Sequence, residues 1–148
     1  MSYKDGEELI LELVQGSPDF ASGNAVRGKW GVLNSGNSDH YAIIYRGPYL
    51  RNWAGMKIIE TEWRTIIQVW QRYKDEFTSY EALTGYVDDL MTYLDPYRKL
   101  TSTTILDANV VGGGEIVTEW RNNSDGPSWL KQEIYIDWKE QSNVTFAE

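Results

Sequence analysis

Residues able to do chemistry are few in this sequence, and they are scattered. His40 is the single histidine in 148 residues. A histidine acting as general base needs one group to orient it and a nucleophile within hydrogen-bond reach. Asp39 adjoins it, but neighbours in an extended segment project to opposite faces, so this carboxylate is wrongly placed to orient the ring. The run Ser38-Asp39-His40 is no triad either, because triads are assembled in space and recognised by geometry. A partly exposed hairpin residue is the expected role of His40.

Glu60 and Glu62 stand two residues apart, about 7 Å along one strand face, a spacing that a paired-carboxylate hydrolase could use. Arg64 follows on the same face, and alternating charges of this kind read as a solvated face that pairs across strands. Asp88 with Asp89, Glu115 with Glu119, and Glu133 with Asp137 also read as outward positions. The sequence holds no EF-hand loop and no dense acidic cluster. With no cysteine, disulfides, thiolate catalysis and cysteine zinc sites are excluded. Gly112-Gly113-Gly114 lacks the Lys-Ser/Thr of a phosphate loop and the spacing of a dinucleotide fingerprint, so a bulge or bend in a long hairpin is expected there. No catalytic residue, metal ligand or cofactor is assigned, and the expectation is that the chain is not an enzyme.

Aromatic residues are the surplus. The chain carries 7 Trp, 10 Tyr and 3 Phe, more than one modest core hides. By periodicity Trp63, Tyr80 and Trp138 fall on core faces. Tyr45, Tyr49, Trp53, Trp70, Trp120, Trp129 and Tyr135 are left over, although a second-layer core could absorb half of them. Exposed large aromatics anchor protein interfaces, so Tyr49, Trp53, Trp120 and Trp129 are the candidate interface residues.

The elements that would position these residues are legible from pattern. Asp5 and Glu8 form an N-cap and N3 pair before Leu9, Ile10, Leu13 and Val14 at helical spacing, with Gly16 and Pro18 as the stop. Lys29 to Leu33 and Tyr41 to Arg46 read as a hairpin. From Lys57 to Tyr73 the chain alternates, with Ile59, Thr61, Trp63, Thr65, Ile67, Val69 and Tyr73 on one face and Glu60, Glu62, Arg64, Gln68 and Arg72 on the other. Ile66 and Trp70 are the exceptions. At about 3.3 Å per residue this strand reaches some 50 Å, so it must bend or project beyond the core. Thr78 and Glu81 suggest a capping box for a second helix with Tyr80, Leu83, Val87, Leu90, Met91 and Leu94 on its apolar face, ended by Asp95-Pro96.

Thr104 to Val111 and Glu115 to Arg121 look extended, and Asn122 to Pro127 reads as a turn into a last strand, Trp129 to Trp138. Leu130, Ile134, Ile136 and Trp138 share one face of it, with Gln132 the polar exception. Lys139 to Glu148 is polar and is expected to be a flexible tail. The order predicts one α+β domain over residues 1–148, an antiparallel or at most mixed sheet of four to five strands with two helices packed on one face.

Charge narrows the partners. Against 14 Lys and Arg stand 22 Asp and Glu, a net charge of −8. That balance argues against sustained binding to a nucleic-acid backbone, which needs clustered basic side chains. It suits a surface that stays near DNA without gripping it. Met1 to Leu13 shows no basic segment followed by an apolar run, and no stretch approaches a membrane span, so neither export nor insertion is expected. Asn122-Asn123-Ser124 and Asn143-Val144-Thr145 match the glycosylation sequon, but without a secretion signal they read as chance matches.

An opening helix, then SPDF (Ser17 to Phe20), NAVRGKWGVL (Asn24 to Leu33), YAIIYRGP (Tyr41 to Pro48), a long strand around TEWRTIIQVWQRY, one central helix, and a closing hairpin around GGGEIVTEWRNNSDGPSWLKQEIYIDW follow one another. In this order and local flavour the chain resembles the tail terminator family, the tail completion or head-tail joining proteins of long-tailed bacteriophages. The resemblance spans most of residues 5–140 and rests on no single diagnostic motif. It implies a virion structural protein, a ring and usually a hexamer, that caps the tail tube and joins it to the neck. The partners implied are further copies of the chain, the tail tube protein and a neck or head-completion protein, with DNA passing through unbound. The place implied is the virion tail or neck, after assembly in the host cytoplasm. The alternatives are another neck, tail-tube or baseplate component and, from a different class, a small-molecule-binding or enzymatic α+β domain with an aromatic-lined pocket between sheet and helix.

Overall fold

Two long alternating strands form the spine of the molecule. The computed structural model describes residues 2–21, 23–28, 39–100, 105–120 and 127–147. In chain order the elements are α1 (Tyr3–Gln15), β1 (Ala25–Arg27), β2 (His40–Arg46), β3 (Leu50–Gly55), β4 (Ile58–Arg72), α2 (Glu76–Leu94), β5 (Ile105–Gly113), β6 (Val117–Trp120) and β7 (Pro127–Asn143). The spine is β4, of 15 residues, paired antiparallel with β7, of 17, from Ile58↔Asn143 to Arg72↔Trp129.

The architecture is α+β with two helices and a mostly antiparallel sheet, but the sheet has seven strands rather than four to five. The difference arises because both edges of the spine are shared. β2 covers residues 65–71 of β4 and β3 covers 58–62, while β5 covers 134–140 of β7 and β6 covers 127–131. The order along the main path is β1-β2-β4-β7-β5, and only β1 and β2 run parallel. The expected strand Lys29 to Leu33, and most of the turn Asn122 to Pro127, lie outside the described residues.

Both helices lie on one face. Ile10, Leu13 and Val14 of α1 and Leu83, Val87, Leu90 and Leu94 of α2 share a single buried cluster with Ala42, Ile44, Ile67, Val69, Ile134, Ile136 and Trp138 of the sheet. The helix starts are corrected. Ser2 caps α1, with Asp5 at N3 completing the capping box, and Asp75 caps α2 by accepting from the Thr78 amide. Each helix is thus capped three residues before its expected cap, at an equally good capping residue. Tyr80 is corrected too. It is 51% exposed, and Ser79 takes the buried position before Leu83, Val87, Leu90 and Leu94. A hydroxyl is tolerated there because it accepts from the Lys74 amide at 2.8 Å.

The exceptions to alternation form a second core. Tyr41, Ile43, Trp70 and Trp129 make a buried cluster on the face opposite the helices, with Val26 and Tyr45 against it. Trp70 breaks the polar pattern because that face is itself apolar at this end. Gln132 is accommodated on the helix side by donating to the Gly114 carbonyl at 3.2 Å. The glycine run gives the expected bulge. The register of β5 on β7 shifts between Val111 and Gly113, where a Cβ at Gly113 would collide with the Glu133 carbonyl.

Candidate interaction surface

At the start of β4 the sheet outruns its helices. The three-stranded extension, a tongue, consists of β3, the first residues of β4 and the last of β7. Every residue of β3 is exposed, and its outer edge has no partner strand among the described residues. Apolar core residues stop short of the tongue on β4, since the nearest are Ile66 and Ile67. The expected flexible tail is partly ordered into it: residues 139–143 continue β7, and the Val144 amide donates to the Lys57 carbonyl at 2.7 Å. Pairing with the start of β4 supplies the hydrogen bonds that a free tail would lack.

The tongue carries a large share of the exposed apolar side chains. Tyr49 is 50% exposed and Trp53 is 58% exposed, and Leu50, Met56 and Phe146 are open beside them. Trp53 and Phe146 approach to 6.1 Å between ring centroids. At the tongue's root, Arg46 lies over the rings of Tyr3, Tyr49 and Trp63 at 5.2 to 5.9 Å. Trp63 packs on Tyr49 at 4.7 Å and donates its indole N–H to buried Glu140 at 2.9 Å. Tyr3 and Trp138 both reach the Thr65 hydroxyl, and burial with a Glu7 hydrogen bond pushes the Tyr3 hydroxyl's pKa well up. Tyr3, Arg46, Tyr49, Trp63 and Glu140 line an open groove of about 520 Å³ with Arg51 and Ser142 on its walls.

On the opposite face a wider cleft of about 660 Å³ is walled by the charged ladder of the spine. Arg64 grips Asp137 through two hydrogen bonds of 2.8 and 3.0 Å and lies over Tyr135. Lys139 reaches Glu62 at 3.0 Å and Glu60 at 4.0 Å. Glu60 and Glu62 therefore serve as cross-strand ion-pair partners, the role expected of them. Glu133 accepts from Tyr45 at 2.7 Å and Gln68 at 2.9 Å.

The sequence candidates separate. Tyr49 and Trp53 both stand on the tongue. Trp129 is only 4% exposed, packed into the second core beneath Arg72, so the chain does not present it as a surface anchor. The backbone of Trp120 ends β6, and its side chain lies outside the described residues. His40 stacks on Tyr86 at 4.3 Å, within hydrogen-bond reach of the Asp19 carbonyl and the Asn24 amide. Asp39 turns away to Lys74 at 2.7 Å. Burial and a hydrogen bond to Asp89 raise the Asp19 carboxyl. Neither cleft described above is lined by His40. Among the described residues, no group of three or more His, Asp or Glu is placed to hold a metal ion.

Arg46 and Phe146 were not among the sequence candidates. Arg46 is an ordinary strand-end arginine by pattern, and Phe146 sits in a polar tail; only pairing of the tail brings its ring to Trp53. No described helix is long and apolar enough to cross a membrane. A comparison with protein-family models finds no match, and neither does a search of curated proteins.

Proposed function

We propose that this chain acts by assembly rather than catalysis, as a tail terminator of a long-tailed bacteriophage that forms a ring, of hexamer type, on the end of the tail tube. The tongue is the observation that carries the reading. It is a strand-paired projection with exposed aromatics and an outer edge that no strand among the described residues covers, and such features attract a partner unless they are blunted. Tyr49 and Trp53 are its interface residues. The net charge of −8 suits a lumen through which DNA passes without being held. The order of elements that resembles the family supplies the identity of the assembly, with the tube protein and a neck protein as the other partners. Another neck, tube or baseplate role would use the same surface.

Electron microscopy of the purified chain, alone and mixed with tubes of the tail tube protein from its own genome, tests the proposal. Rings, or density capping tube ends, are expected. A chain that stays monomeric and leaves tube ends bare would exclude it.

A further inference from the structure

Two exposed patches of opposite charge flank β4. Beside its first half, Arg51 on the tongue and Arg46 at the tongue's root stand with Tyr49 and Trp53. Beyond its end, the first turns of α2 present Glu76 and Glu81 around Phe77 and Tyr80, which are 68% and 51% exposed. Phe77, Tyr80 and Glu81 share one helix face by their spacing. Ion pairs among the described residues use none of Arg46, Arg51, Glu76 and Glu81. Arg46 pairs with Thr65 and Arg51 with Thr61, so roughly 23 to 36 Å of strand separates these arginines from Arg72 at the end of β4, and the patches cannot meet within one chain.

We propose that the tongue of one copy docks on the first turns of α2 in the next. The inference rests on the ring reading and deepens it by naming the two surfaces that meet. Arginines and large aromatics are the residues in which interface energy concentrates, and a guanidinium over Phe77 or Tyr80 adds a cation–π contact. The charges also choose the geometry. A contact of tongue on tongue or of α2 on α2 would set Arg51 against Arg51 or Glu81 against Glu81, and like charges in an interface oppose association. Tongue against α2 matches basic to acidic, and a head-to-tail repeat of it, unlike a closed pair, continues past two copies. Repeated head to tail with a rotation that closes, such a contact makes a ring. In a chain of net charge −8, whole copies repel, so local arginines at one end are what association requires.

The absence of cysteine makes the contact directly testable. Met56→Cys at the tongue tip and Thr78→Cys on α2 both alter exposed side chains and spare the aromatics. The two single variants, mixed and oxidised with and without tail tubes, should give the mixed disulfide in preference to either homodimer. Both changes in one chain should give a ladder of covalent multimers. Arg51→Glu or Glu81→Lys alone should cut the mixed product about tenfold, and a mixture of the two variants should restore it.

Homodimers alone, or no cross-link from a chain that still forms rings or caps tubes, would overturn this pairing and leave the ring standing. A chain that neither associates nor binds tube ends would remove both. Circular dichroism of each variant establishes that it is folded before cross-linking is scored.

Discussion

Gly6 of α1 packs against Trp138 so closely that a Cβ at this position would clash with the indole ring. Trp138 has no room to retreat, since it is fully buried and its indole N–H is held by Thr65 at 3.1 Å. Gly6→Ala gains about 1 kcal/mol of helix propensity but must displace a core ring, a cost of about 1–3 kcal/mol or more. The expected outcome is a net loss of about 2 kcal/mol, read from the urea midpoint. Equal or greater stability would mean that α1 does not rest on Trp138.

The glycine run offers an internal control. Gly113 faces the Glu133 carbonyl with no space for a Cβ, whereas nothing lies within 4 Å of the Cβ position at Gly112. Gly113→Ala should break the bulge that joins β5 to β7 and cost about 2–4 kcal/mol. Gly112→Ala should change the melting temperature little. Equal effects from the two would contradict the register shift placed at Gly113.

Trp129 and Trp53 should part company under mutation. Trp129→Ala empties a site in the second core, and a buried tryptophan lost in this way costs about 3–5 kcal/mol. Trp53→Ala should stay within about 1 kcal/mol of the parent in denaturant unfolding. Ring formation or tube capping should instead be lost with Trp53. A Trp53 variant that assembles normally would remove the tongue from the interface.

Acid should act partly through Glu133. Burial works against its charged form, but hydrogen bonds from Gln68, Tyr45 and Tyr135 outweigh it and lower the pKa below 4.5. Because the folded pKa is the lower one, this group's stabilisation is present above pH 4.5. It is lost as pH falls through the folded value. Asp5, Asp39 and Asp107 are lowered too and act in the same direction. In Glu133→Gln, stability measured between pH 6 and pH 3 should fall less steeply, on a baseline lower by about 1–2 kcal/mol. An unchanged acid slope would show that the carboxylate is not held by this network.

The sequence by itself determined the long strand, both helices, the last strand's inward face and the glycine bulge. Each of these is written in local chemistry: a period of two or 3.6, a capping oxygen, or a residue without Cβ. Tertiary structure decided which aromatics are spare. Trp70 and Trp129 look like surface residues along their own strands, and only the sideways pairing of β2, β4 and β7 brings them together with Tyr41 and Ile43. Tyr80 looks like core until Ser79 is seen to hold the Lys74 amide. The tail beyond Trp138 reads as loose because its order comes from hydrogen bonds to residues 58–62 of β4, far away in sequence. The tongue follows from the same cause. Its strand length was visible locally, but where the core ends beneath it depends on where two helices come to rest.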